Sequence, residues 1–169
     1  MRRAIYPGTF DPITNGHLDI LRKATRIFDE VVLAVANVTG KDTFFSFEER
    51  VDICRECCQG MPGVRVMGFD GLVVHFAHQQ EAVTMIRGLR AVSDFEYELQ
   101  LALMNRMLDR SLETIFLVPE HTYLYLSSSM VRQIVRLGGS LRDFVPMLVE
   151  QRLHEHFAQT GETDGTEKA

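Results

Sequence analysis

Three observations predict an α/β fold with one parallel sheet in a single domain. Five short β-rich runs alternate with helix-patterned segments, an order that calls for right-handed crossovers between parallel strands. The second run, Val31-Val32-Leu33-Ala34-Val35-Ala36, is apolar without a break, as in a strand buried on both faces. The length of 169 residues suits one domain, and no internal repeat or long linker divides it.

The elements follow in order. Residues 3–6 read as the first strand, closed by Pro7-Gly8. Over residues 16–28, Leu18, Leu21, Ala24, Ile27 and Phe28 fall on one helical face. Residues 31–36 are the second strand. Ser46 with Glu49 is a capping box that opens a helix to about residue 59. A third strand over 64–67, a short helix over 71–79 and a fourth strand over 82–86 come next. The Leu- and Met-rich segment 93–109 is a long helix, and 114–118 a fifth strand stopped by Pro119. A helix over 128–137 ends at Gly138-Gly139, and 146–157 is the last helix. Residues 1–157 thus form the domain, and 158–169 a small, polar, disordered tail.

Composition narrows the function. Apolar residues at 46% can fill a core, while 18 Lys and Arg against 23 Asp and Glu give a net charge of −5. That balance argues against a general nucleic-acid binder, which needs a basic face for phosphate. No apolar run approaches the ~18 residues of a membrane span, and no signal-peptide core follows Arg2-Arg3. Three cysteines crowded at Cys54, Cys57 and Cys58 do not make a disulfide framework, so a cytoplasmic location is expected. A zinc site would want a fourth ligand and a loop, and the spacing of these cysteines with Val51 is that of a helix face toward the core. His75 with His78, and His154 with His156, are expected at surfaces or packing edges.

In a parallel sheet, ligands bind beyond the carboxyl ends of the strands. After the first strand, Gly16 and His17 open a helix whose free N–H groups and dipole favour an anion; a turn residue and a solvated first-turn histidine would also explain them. The second loop carries Lys41, suited to phosphate or simply solvated. After the fourth strand come Arg87 and Arg90, flanking Gly88-Leu89. Charge beside a buried strand needs a partner: a phosphate held by the planar guanidinium fork, or a neighbouring acid among Asp94, Glu96 and Glu98. After the fifth strand, Ser127-Ser128-Ser129 cap a helix and offer hydroxyls to a phosphate. The P-loop, G-x-G-x-x-G and G-x-S-x-G motifs are absent from the sequence.

These residues carry a resemblance. Thr14-Asn15-Gly16-His17 resembles the T/H-x-G-H motif of the nucleotidylyltransferase superfamily, and Leu126-Ser127-Ser128-Ser129-Met130-Val131-Arg132 its I-S-S-[ST] segment leading to a basic residue. The stretches from Tyr6 to His17 and from Ile86 to Glu98 are similar to those of bacterial phosphopantetheine adenylyltransferases, with likeness over residues 3–157. The resemblance implies a Rossmann-like five-stranded parallel sheet with helices on both faces. It implies transfer of AMP from ATP to 4′-phosphopantetheine, giving dephospho-coenzyme A and pyrophosphate, the penultimate step of coenzyme A biosynthesis. It also implies Mg²⁺ as cofactor, held mainly by phosphates and water with no protein ligand, a homohexamer, and feedback inhibition by coenzyme A.

The residue roles it implies are these. His17, Lys41, Arg87 and Arg90 serve the chemistry; Thr9 and His17 contact the nucleotide phosphates. Phe10, Gly88, Leu89, Arg90, Glu98, Tyr123, Leu124, Tyr125, Leu126, Ser127, Ser128 and Ser129 complete the ATP site. Lys41, Arg87 and Thr9 hold phosphopantetheine, with Val73 lining its site. Leu126 replaces the usual Ile, and Tyr123 stands where some relatives carry an indole. The rival readings are a related transferase acting on nicotinamide mononucleotide or glycerol phosphate, and a nucleotide sensor without turnover.

Overall fold

A computed structural model of the protein describes residues 1–37 and 42–160. Five parallel strands, β1 (Arg3–Gly8), β2 (Glu30–Ala36), β3 (Val64–Phe69), β4 (Thr84–Gly88) and β5 (Glu113–Leu117), form one sheet in the order β3-β2-β1-β4-β5. The order reverses between β1 and β4, which places the crevice for a ligand at the carboxyl ends of those two strands. The helices are α1 (Asn15–Ala24), α2 (Phe47–Cys57), α3 (Val73–Gln79), α4 (Val92–Leu108), α5 (Ser128–Arg136) and α6 (Met147–Thr160).

Strand alternation divides the core between the two faces. Ala4, Tyr6, Val31, Leu33, Val35 and Ile86 meet α1, α2, α5 and α6 through residues such as Leu21, Cys54, Val131 and Leu153. On the other face Ile5, Val32, Ala34 and Met85 meet Val74, Phe76 and Ala77 of α3. Asn105 of α4 lies on this side too, its amide donating to the Met85 sulfur at 3.5 Å. The expected fold, with helices on both faces, is borne out.

Boundaries differ where tertiary pairing overrides local signals. β1 runs on through Pro7 to Gly8 because its register with β2 continues to Gly8, while that with β4 ends at Ile5, so proline's missing donor breaks no ladder. β3 extends past Met67 to Phe69. There Gly68 is needed, since a Cβ would stand 2.3 Å from the Phe47 ring. α1 stops at Ala24, with Arg22 and Lys23 in its last turn, and Ile27 and Phe28 continue only as turns. β4 lies two residues later than expected, pairing Arg87 with Phe116 and Gly88 with Leu117. Arg87 and Gly88 therefore belong to the strand itself rather than to the loop after it. The 3-10 turn His121–Tyr123, before α5, had no sequence signal. The last helix runs through Thr160, three residues beyond the expected end. Residues 161–169 of the expected tail lie outside the described residues.

Candidate active site

A cavity of about 310 Å³ opens over the ends of β1 and β4. The β1–α1 connection supplies Thr9, Phe10 and His17, β4 and its loop supply Arg87, Gly88 and Arg90, and the start of α5 supplies Ser127, Ser128 and Ser129. Gly8 fits because a Cβ there would meet the Phe10 ring at 2.8 Å. Phe10 itself takes a left-handed φ of 48°, and its ring packs edge-on to those of Tyr6 and His17.

His17 is held in one orientation by the cap of its own helix. Thr14 is the N-cap, and its backbone N–H donates to His17 Nδ1 at 3.0 Å. The Thr14 hydroxyl lies 3.0 Å from the same nitrogen. A nitrogen that accepts an N–H bond carries no proton, so the neutral ring bears its hydrogen on Nε2. Burial, and then the positive fields of Arg90 and Arg87, lower the pKa from 6.5 to about 4. At neutral pH the ring is an uncharged N–H donor facing the cavity.

The two arginines are organised by carboxylates. Arg87 donates from Nε to Glu98 at 2.6 Å and from a terminal nitrogen at 2.8 Å, and a further bond of 3.0 Å goes to the Pro7 carbonyl. Burial works against its charge, but the bidentate carboxylate raises its pKa on balance. Arg90 pairs with Asp94 at 3.1 Å and donates to the Leu126 carbonyl at 2.7 Å, tying the β4 loop to the entrance of α5. Both alternatives open for these arginines thus meet in one place: each has an acid, and each lines the cavity.

Behind the Arg87–Glu98 pair lies a second cavity of about 650 Å³. It shares Thr9, Arg87, Gly88, Arg90 and Glu98 with the first, and Val73, Met85, Leu101 and Asn105 form its far side. The site is two chambers with a cationic wall in common, an arrangement suited to two phosphate-bearing molecules that must meet.

Each serine has a structural bond as well. Ser127 caps α5 by accepting from Met130 N at 3.1 Å, Ser128 donates to the Pro12 carbonyl at 2.8 Å, and Ser129 receives an Arg132 N–H at 3.3 Å. Arg132 also bonds the Asp11 carbonyl and stands 3.4 Å from its carboxylate. The Asp11 carboxylate accepts from Phe44 N at 2.7 Å and Phe45 N at 2.9 Å.

A family model described as cytidylyltransferase-like matches residues 5–134. The phosphopantetheine adenylyltransferase of Desulforudis audaxviator is 50% identical over 162 residues, covering 96% of this chain and 99% of that one. That of Moorella thermoacetica is 54% identical over 157 residues, covering 93% and 98%. The chain belongs to the phosphopantetheine adenylyltransferase family. Among solved structures, one provisionally assigned as a nicotinate-nucleotide adenylyltransferase from Vibrio parahaemolyticus superposes with a TM-score of 0.70 at 15% identity, covering 98% of both chains. That likeness establishes the shared fold.

Of the residues expected from the adenylyltransferase resemblance, Thr9, Phe10, His17, Arg87, Gly88, Arg90, Glu98, Tyr123, Leu126 and the three serines line the first cavity. Val73 lines the second. Leu89, Leu124 and Tyr125 line neither: Leu89 N bonds the Leu117 carbonyl, Leu124 N bonds the His121 carbonyl, and Tyr125 is 81% exposed. Lys41 lies outside the described residues. Tyr6, Asp11, Arg50 and Arg132 escaped the sequence reading. Arg132, at the end of the serine signature, and Arg50, on the apolar stripe of α2 with Ile53 and Cys54, left a trace there.

The cysteines sit as their spacing suggests. Cys54 and Cys58 are buried, and burial pushes Cys57 up to about 12 and Cys58 to about 11, so these thiols stay protonated. His75, His78 and His154 are exposed, and His156 packs on Phe44.

Proposed function

We propose that this protein transfers the adenylyl group of ATP to 4′-phosphopantetheine by direct in-line attack, releasing pyrophosphate and forming dephospho-coenzyme A. Family membership over nearly the whole chain supports the reaction. The observation that carries the reading is the pair of chambers divided by Thr9, Arg87 and Arg90. An oxygen of the acceptor phosphate bonds to the α-phosphorus as the bond from that phosphorus to the bridging oxygen breaks. Pyrophosphate leaves with that electron pair.

Such a displacement needs positioning and charge stabilisation rather than a protein nucleophile. The Nε2–H of His17 donates to the α-phosphate as charge moves onto its oxygens. Arg87 and Arg90 screen the repulsion between the two anions, with Lys41 assigned to the same task on the acceptor side. The α5 amide end and Ser129 steady the leaving group. Mg²⁺ enters with ATP on this reading. Of the cavity's carboxylates, Asp11 and Glu98 each face an arginine. Asp42 is the third carboxylate of the first cavity, and beside it the lining offers cations, hydroxyls and amides, a set that fits a metal carried largely by phosphate oxygens and water. When bound, the ion neutralises phosphate charge.

Homohexamer formation is supported by α4, which exposes Val92, Leu103, Met104, Met107 and Leu108. Coenzyme A, whose skeleton resembles the product, would compete across both chambers. Among the described residues no helix is long and apolar enough to cross a membrane, and a cytoplasmic place is proposed. The test is incubation with ATP, Mg²⁺ and 4′-phosphopantetheine, with mass detection of dephospho-coenzyme A. A panel containing nicotinamide mononucleotide and glycerol phosphate runs beside it. Turnover of either in preference to phosphopantetheine, or ATP binding with no turnover at all, refutes the proposal.

A further inference from the structure

We propose that Arg50 and Asp11 form a clasp that positions Thr9 and the loop carrying Asp42 and Thr43 for adenylyl transfer. Both are positioning residues. The inference rests on the adenylyl-transfer reading for its kinetic consequence, though not for its structural one.

Arg50 is 1% exposed, and a charge so deeply buried is costly unless its donors are satisfied. Its hydrogen bonds go to main-chain carbonyls of three separate segments: Thr9 at 2.8 Å, Ala36 at 2.8 Å and Phe45 at 3.3 Å. A guanidinium that served α2 alone would need only Phe45, five residues away. The reach to Thr9 and Ala36 instead joins the loop after β1 to the end of β2. Asp11 makes the complementary stitch, its carboxylate receiving the amides of Phe44 and Phe45. Its negative charge also favours the charged form of Arg50, whose pKa burial lowers.

The clasp matters because of what hangs from it. Thr9 lines both chambers, and Asp42 and Thr43 form part of the wall of the first. Thr9 and the 42–45 loop come from different crossovers, and no strand pairing fixes their separation. The five bonds of Arg50 and Asp11 do. A guanidinium can hold three carbonyls at once because its donors are fixed in a plane, which an ammonium cannot match. In-line transfer is sensitive to such spacing: a displacement of about 1 Å costs about 10²-fold in rate.

The experiment compares wild type with Arg50→Lys, Arg50→Met and Asp11→Asn. Turnover of ATP and 4′-phosphopantetheine, ATP affinity, circular dichroism and hydrogen exchange at the Phe44 and Phe45 amides are measured. Arg50→Lys should fold, keep its ATP affinity within threefold, and lose about 10²-fold in kcat. Arg50→Met should lose more, and both amides should exchange faster. If Arg50→Lys does not fold, Asp11→Asn decides by the same split, since it keeps the guanidinium while turning one of the two oxygens that accept from Phe44 and Phe45 into an amide donor and removing the charge that faces Arg132. Wild-type kcat with slow amides in the folded variants overturns the proposal. So does a fall of kcat and ATP affinity in step with the folded fraction, which would mean structural support alone. Should wild type fail to form dephospho-coenzyme A, the functional reading falls, and the amide exchange still judges the clasp.

Discussion

Replacing His17 tests the site most sharply, because its two ring nitrogens have separate tasks. Nδ1 accepts the Thr14 N–H at 3.0 Å and closes the capping box of α1. On the proposed reading Nε2–H donates to the α-phosphate. His17→Ala removes both. Losing the cap acceptor exposes one amide and should cost about 1 kcal/mol, or ~2–4 °C in Tm for a chain of this size. The other half of the cap, His17 N–H to the Thr14 hydroxyl, is backbone-donated and stays in any variant. Losing one donor to a developing oxyanion costs about 10²–10³ in kcat, while ATP affinity should barely change. The two tasks can then be separated. His17→Asn sets an amide oxygen where Nδ1 stands, so it should recover Tm without turnover. His17→Gln reaches toward the Nε2 position, so it should recover part of the turnover without the cap. Pyrophosphate release, equilibrium dialysis with ATP and thermal melts give the three readouts. An Ala variant within threefold of wild-type kcat refutes the role of Nε2–H. Recovery of turnover by Asn rather than Gln refutes the assignment of the nitrogens.

Three further outcomes are expected. The folded-state pKa of His17, about 4, lies below the ~6.5 of the unfolded chain, so the unfolded state binds more protons between those values. The stability this group contributes is complete above pH 6.5 and drains away as pH falls toward 4. Its ring carbon protons, followed by NMR, should hold the neutral position at pH 5.5, and a midpoint above 6 contradicts this. Glu98→Ala strips Arg87 of its bidentate partner, bonds of a kind worth about 1–3 kcal/mol; an unchanged melting temperature shows that the pair does not hold the shared wall. Lys41→Ala should weaken phosphopantetheine binding more than ATP binding in calorimetry, and equal losses contradict its place on the acceptor side.

The legible part of the site was the part whose residues sit next to one another in sequence. Gly16-His17 at a helix start, the triple serine and the Arg87 to Arg90 stretch are local signals, and each could be placed at a strand end by order alone. What escaped depends on distance along the chain. Asp11 reads as an ordinary turn residue beside Pro12 until Phe44 and Phe45 donate to it across 33 and 34 positions. Arg50 is only a charge on the apolar stripe of its helix until Thr9 and Ala36 turn it into a tie between crossovers. The serines show the opposite lesson. Their number suggested hydroxyls in reserve for phosphate, and the fold gives each a bond of its own.

By itself the sequence determined the alternation of strands and helices, the helix caps at Ser46 and at the triple serine 127–129, and the motifs that line up at one rim. Hydrophobic periodicity and capping are short-range effects, complete within a few residues. Tertiary structure alone decided that β4 reaches Gly88 and that the site has two chambers. It also decided that His17 is a neutral donor, and that acids pair with both arginines. Those properties depend on burial and on charges brought together from distant segments, and neither exists until the sheet has formed.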